Sequence, residues 1–390
     1  MPRVSVLVGT TKGAFVLSGD EARSQFRVDG PFCGGWPINH VIGEAGSGRM
    51  WAAGGSAWEG AGVWRSDDGG ASWTLSRLAN GERNDWVTAN AEEARHFGFE
   101  PEEPAPFTGT VDSAWVLGRA GDTLYAGTRP AQLLASHDGG ASWIMLPGLA
   151  EHPTRPDWQP GGAGLTLHSF VSDPADSTKL WVGISSAGVF ASEDGGTTWE
   201  QRLRRANAPD VGAHMHEGGI VHAGPDVGIC VHNLVRAPAA NGHGGDLLYQ
   251  QNHQGVYRSP DGGRSWVDIT AGLPSDFGFP IAVHPRDPQT VWVLPLNGDT
   301  KGRYPPDGAA AVWRTRDGGE SWEASREGLP QQSCFFTVLR QAMAVDAGEP
   351  TGIYFGTNSG SVFASFDEGS TWNEIARHLP TVLAVETVRS

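Results

Sequence analysis

One eight-residue pattern, S/T-x-D-x-G-x-x-W, occurs six times in this 390-residue chain and constrains its fold more than any other feature. It runs from Ser66 to Trp73, Ser136 to Trp143, Ser192 to Trp199, Ser259 to Trp266, Thr315 to Trp322 and Ser365 to Trp372. A worn seventh copy begins at Ser18-Gly19-Asp20, with Phe26 standing in for the tryptophan. The aspartates Asp20, Asp68, Asp138, Asp194, Asp261, Asp317 and Asp367 are separated by 48, 70, 56, 67, 56 and 50 residues. Four short strands with their turns need about 40–50 residues, so each interval holds one propeller blade plus loop. Inside five of the six copies, Asp-Gly-Gly between apolar runs signals a tight hairpin; the sixth reads Asp367-Glu-Gly. Glycine takes positive φ without strain, and the Ser, Thr and Asp oxygens can bond the turn's own amides.

A matching strand pair precedes each copy, as in Leu180-Trp-Val-Gly then Gly188-Val-Phe-Ala-Ser, and Ile353-Tyr-Phe-Gly then Ser361-Val-Phe-Ala-Ser. Val6-Leu-Val-Gly then Gly13-Ala-Phe-Val-Leu-Ser fits the same frame and makes seven blades. The expected fold is all-β: one seven-bladed propeller of four-stranded antiparallel blades over residues 1–390. The first blade lacks an innermost strand, and the segment from Thr381 to Val388 is expected to pair beside the N-terminal strand and close the ring. Closure removes the exposed sheet edges that invite aggregation. Composition agrees: 55 glycines and 26 prolines supply turns, while 16 tryptophans and 39% hydrophobic residues supply a core that a disordered chain lacks.

The boxes resemble the Asp-box (BNR) repeats of sialidase-like β-propellers, and those of the sortilin and xyloglucanase families. The resemblance covers essentially the whole chain. It implies the propeller fold, box turns on the bottom face, and a substrate site on the opposite, top face. It also implies glycoside hydrolase-like chemistry on a small polar or carbohydrate-like ligand, by a hydrolase or lyase. The arginine motif of true sialidases is missing, since Trp36-Pro-Ile-Asn-His40 contains no arginine. Sortilin-like and photosystem-assembly-factor-like rings bind protein instead, which keeps a non-catalytic protein- or ligand-binding scaffold as a second reading, because fold does not fix function.

A formal charge of 28 − 44 = −16 argues against nucleic-acid binding. No apolar run approaches the ~20 residues of a membrane span, and no basic patch suits anionic lipid. The N-terminal segment reads as a strand and not as a secretory signal. Cys33, Cys230 and Cys334 are odd in number and far apart, and read as reduced, mostly buried thiols of a cytoplasmic protein.

The long connections fall on the top face: Leu75 to Thr110, Gly148 to Thr166, Arg202 to Ile229 and Asn297 to Ala310. Long loops in compact domains are usually functional or disordered, so these are expected to wall a pocket. His168-Ser-Phe-Val and His232-Asn-Leu-Val match in register at the start of inner strands, and His40 is placed in the same register. Nearby top loops add His214, His216, Glu217 and His253. Three readings follow. The imidazoles ligate a divalent transition metal, with His214, His216, His232 and His253 as candidates. They act as general acid/base groups, with His168, His232, His40, His216 and Glu217 as the catalytic set. Or they bond neighbouring blades and hold the ring. Trp36, Trp58 and Trp158 are candidates for stacking on a sugar. Glu59, His253, Arg303, Tyr304 and Arg340 complete the substrate-binding set. His284 falls at the other end of its strand and reads as structural.

Overall fold

The computed structural model describes residues 4–20, 22–202, 230–238 and 246–389, together with the short strand pair His214–Met215 and Val221–His222. Seven four-stranded antiparallel sheets form the blades of a propeller. In blade one the second to fourth strands are Val4–Thr10, Gly13–Gly19 and Phe26–Phe32, and the innermost is Val382–Arg389. Val4 pairs with Arg389 and Val8 with Val385, so the chain's last strand closes the ring as its sequence predicts. The other inner strands are Ile38–Gly43, Ser113–Ala120, Leu167–Ser172, Val231–Arg236, Gly278–Val283 and Met343–Val345, which open blades two to seven. Each blade buries both faces against its neighbours, so its strands read as near-continuous apolar runs: Leu180–Ile184 and Gly188–Ser192 are buried throughout.

The box turns are built as their residue types dictate. In blade three, Ser136 Oγ accepts from the Gly140 amide at 2.8 Å and donates to Asp138 Oδ1 at 2.7 Å. Asp138 accepts the Ser142 amide and hydroxyl at 2.9 and 2.6 Å. The worn copy keeps this core, since Asp20 accepts the Ser24 amide and hydroxyl. Its Phe26 stacks on Phe366 at 6.1 Å. Gly139 and Gly140 sit at φ 72° and 96°; in blade seven Glu368 takes the first of these positions at φ 58°. The turns also couple blades. Trp51 Nε1 donates to Gly139 O in the next blade, Tyr125 hydroxyl to Gly195 O, Trp181 Nε1 to Gly262 O and Trp292 Nε1 to Glu368 O. The box is thus both a local turn and an acceptor for the preceding blade.

One sequence expectation is corrected here. Inner strands two, four and five carry a bulge near the top. Ile38 pairs with Gly54 and His40 with Ala53; Leu167 with Ile184 and Ser169 with Gly183; Val231 with Asn252 and Asn233 with Gln251. The extra residues are Asn39, His168 and His232, and His40 matches Ser169 and Asn233, one position further down. Matching like residues cannot reveal which residue a bulge leaves unpaired.

Candidate functional site

Propeller connectivity puts the start of each inner strand and the turn between second and third strands at one end, opposite the boxes. Side chains from blades four to seven converge there. Cys230 precedes the inner strand of blade five, and His232 lies in its bulge. His253 sits in the turn after Leu248–Asn252. Asp299 and Arg303 come from the long turn of blade six, Phe277 and Phe279 from the start of its inner strand, and Arg340 from just ahead of blade seven's inner strand. His232 donates from Nδ1 to the Gly278 carbonyl at 2.6 Å, and its Nε2 faces Cys230 Sγ at 3.7 Å. The His232 and His253 rings are 5.3 Å apart. Asp299 lies 3.6 Å from His253 Nε2 and pairs with Arg303 Nε at 2.5 Å. Phe279 is the apolar hub: the Arg340 guanidinium lies 4.8 Å over its ring, that of Arg303 5.7 Å, and the His232 ring 4.7 Å away.

The electrostatics follow from burial beside a fixed cation. Desolvation, then the Arg340 charge, hold His168 and His232 well below the ordinary histidine range, so both are neutral at pH 7. Burial pushes the Cys230 thiol up, against the pull of Arg340. Burial likewise draws Arg340 below the usual arginine range, while Cys230 opposes that shift and Arg303 adds to it. Three buried polar atoms here have no hydrogen-bond partner among the described residues: Arg340 Nε, His168 Nε2 and Ser185 Oγ. Such atoms are costly unless a ligand or water meets them. Below the mouth runs the central channel, a cavity of about 480 Å³ lined by His40, His168, Asn233, Arg236, Gln341 and Glu386.

The turn that carries Asp299 and Arg303 inward also lines a second top-face cleft of about 670 Å³, with Lys301, Tyr304, Asp307, Asp276 and Phe335 on its walls. Tyr304 and Phe335 meet edge to face at 5.1 Å, and Phe335 is 65% exposed. An exposed aromatic flanked by carboxylates suits a polyhydroxylated ligand, whose apolar face stacks while its hydroxyls are bonded.

Of the residues expected from sequence, the structure brings His168, His232, His253, Arg303 and Arg340 to the mouth and Tyr304 to the adjoining cleft. His40 is elsewhere employed: its Nδ1 accepts the Leu117 amide at 3.1 Å, and Nε2 lies 3.5 Å from Glu386 in the channel. Trp36 is buried edge to face against Trp64 at 5.9 Å, under Arg77. Trp158 is buried against Phe190 at 4.9 Å and donates to Thr154 Oγ1. Both anchor their loops, and neither ring is open to stacking. Trp58 is 48% exposed, and Glu59 pairs with Arg83 at 3.0 Å, in blade two. His216 and Glu217 lie outside the described residues, and of His214 only its place in the short strand pair is described. His284 accepts the Asp287 amide and bonds Thr351, as a structural residue does. Sequence reasoning read Cys230 only as one of three reduced, mostly buried thiols and passed over Asp299, Phe277, Phe279 and Ser185. The spacing Cys230-x-His232 was the available signal.

No family model matches the chain. An oligoxyloglucan-reducing end-specific xyloglucanase of Emericella nidulans is 24% identical over 221 residues, covering 52% of this chain and 25% of that protein. A Paenibacillus xyloglucanase is 27% identical over 215 residues, covering 53% and 20%. The chain therefore spans about a quarter of the length of the curated relatives it matches. Among solved structures, the GH74 xyloglucanase of Xanthomonas campestris has a TM-score of 0.58 at 16% identity, covering all of this chain and 52% of that one. A putative 6-phosphogluconolactonase from Bacteroides uniformis has 0.57 at 12%, covering both chains fully. YCF48 bound to D1 peptide has 0.50 at 14%, covering 87% and 82%. At these identities the structural likeness establishes the β-propeller fold, and function has to be argued from the site.

Proposed function

We propose that this chain is a glycosidase-like hydrolase acting on a small carbohydrate-like substrate at the top face. One observation carries the reading: the turn Asn297 to Ala310 contributes Tyr304 and Asp307 to an aromatic, carboxylate-bearing cleft, and Asp299 and Arg303 to the neighbouring cluster. A sugar stacked on Phe335 and Tyr304 would present its polar end to that cluster. There the Asp299–His253 pair would serve for proton transfer, and Arg340 would hold a negative or polarised oxygen. The xyloglucanase relatives support the carbohydrate class. We assign the repeats to the Asp-box class, the chain to a single domain, and its location to the cytoplasm.

The test is hydrolysis of a panel of aryl glycosides and xyloglucan-derived oligosaccharides, read by released chromophore and by product chromatography. On a cleaved substrate, Phe335→Ala is expected to raise KM about 10-fold with kcat little changed, the mark of lost uniform binding. Arg340→Met is expected to lower kcat/KM about 100-fold, comparable to losing one charge-stabilising donor. A wild-type protein that cleaves nothing yet binds one of the oligosaccharides would favour the scaffold reading, for which the peptide-bound YCF48 ring is a structural precedent. Neither cleavage nor binding would end the proposal.

A further inference from the structure

We infer that Cys230, His232 and His253 bind one divalent transition metal of the zinc type at the mouth of the ring. The inference goes beyond the hydrolase reading: with His253 on a metal, Asp299 rather than His253 would be left for proton transfer, while sugar binding in the Tyr304–Phe335 cleft would be unchanged. One thiol and two imidazoles meet there from two segments of blade five, with a ligand atom of each within 4.8 Å of the other two. The Cys230 Sγ to His232 Nε2 separation is 3.7 Å. Zinc bonds of ~2.3 Å to sulfur and ~2.1 Å to nitrogen, at a tetrahedral angle, put S and N about 3.6 Å apart. That pair is already at its metal-bound spacing, and the third ligand needs only a small ring movement.

His232 is also held as a ligating histidine is held. Its Nδ1–H donates to Gly278 O at 2.6 Å, which fixes the tautomer and turns the Nε2 lone pair toward the sulfur. Asp299, 3.6 Å from His253 Nε2, supplies a carboxylate to orient that ring or complete the shell. Thiolate with imidazole selects zinc, cobalt or copper over magnesium or calcium. A thiolate–imidazolium nucleophile would employ one histidine; a second imidazole in the same small volume is what a metal explains. Arg340 sits close enough to Cys230 to feel its charge. The thiolate and Asp299 would offset the added positive charge.

The experiment uses full-length protein purified without a histidine tag, analysed for metals, then stripped with chelator and titrated with Co(II). We expect about one bound metal per chain and a near-ultraviolet sulfur-to-cobalt charge-transfer band. Cys230→Ser should abolish that band, and His253→Gln, which removes a direct ligand, should weaken Co(II) binding by more than the ~10–100-fold that loss of an outer-shell partner costs. Cys334→Ala should change neither. Circular dichroism melts establish which variants are folded; if Cys230→Ser is not, His253→Gln carries the test. Wild-type protein that shows no thiolate band at stoichiometric Co(II), or a folded Cys230→Ser or His253→Gln variant that binds as wild type does, would overturn the inference. Glycoside cleavage by metal-free protein would overturn catalysis at this metal while leaving the hydrolase reading intact.

Discussion

Ser136 and Ser185 are equally buried, each 1% exposed, at opposite ends of the ring. Ser136, in a box turn, accepts an amide and donates to a carboxylate within its own loop. Ser185, at the mouth, has a hydroxyl without a partner among the described residues. The contrast extends to their surroundings. Box ends close their hydrogen bonds within four residues and repeat that closure around the ring, whereas the mouth gathers unlike residues from different blades and leaves Arg340 Nε and His168 Nε2 unmet as well. Local closure serves stability; the open hydroxyl, guanidine and imidazole nitrogens at the mouth would be met by a ligand or water, as would the open guanidine nitrogens of Arg202 and Arg314 beside the boxes.

The largest effect should come from breaking what the two ends share, the closed ring. Deleting residues 382–389 removes the strand paired along Val4–Thr10 and exposes an inner edge. We expect loss of the cooperative melting transition by calorimetry; a truncated protein melting within a few degrees of the full chain would refute closure as a stabilising element. The serines come next. Ser136→Ala strands the Gly140 amide and should cost about 1–3 kcal/mol in chemical denaturation, whereas Ser185→Ala removes an unmet hydroxyl and should be neutral or stabilising. Equal costs would erase the distinction drawn between the two ends.

The smallest effect is a dependence on acid. Serine hydroxyl and amide donors hold Asp68 down at about 2 and lower Asp138 and Asp317 further, from an ordinary 3.8. The unfolded chain therefore binds more protons, and these turns lend stability that is complete above pH ~4 and lost as pH falls through ~2. His168 and His232, both depressed, work in the same direction: their charging on unfolding favours the unfolded chain once pH drops below 6.5. The melting temperature should decline from neutral pH and fall steeply below pH 4, less so in Ser72→Ala, which removes the hydroxyl donor to Asp68 and keeps the amide one. A flat profile between pH 7 and 2.5 would contradict both contributions.

This contrast also accounts for what could be read in the chain. Six boxes and the strand that closes blade one were legible because each rests on a local rule: glycine at positive φ, an aspartate reaching amides four residues on, an alternating run lacking a partner. His168 and His232 were legible because the repeat frame carries them to the top of their strands. The His40 placement failed by one residue, since a bulge depends on pairing across strands and leaves no mark within one. Trp36 and Trp158 were misjudged for a related reason: a loop tryptophan becomes an anchor only when another part of the chain covers it, as Trp64 and Phe190 do. Cys230 and Asp299 were missed because nothing near either residue announces the other, 69 positions apart, or Arg340, whose charge feels both.

Because the innermost strand of blade one is the last to be made, ring assembly has a timetable. Six blades and three strands of the seventh can form while the chain is still being extended, at about 5–20 residues per second. Throughout that interval Val4–Thr10 waits without its partner, and the circle cannot be completed until the strand Val382–Arg389 arrives. A chain cut short before Val382 would therefore be almost wholly folded yet unable to finish, with the edge of Val4–Thr10 open to a second copy of itself.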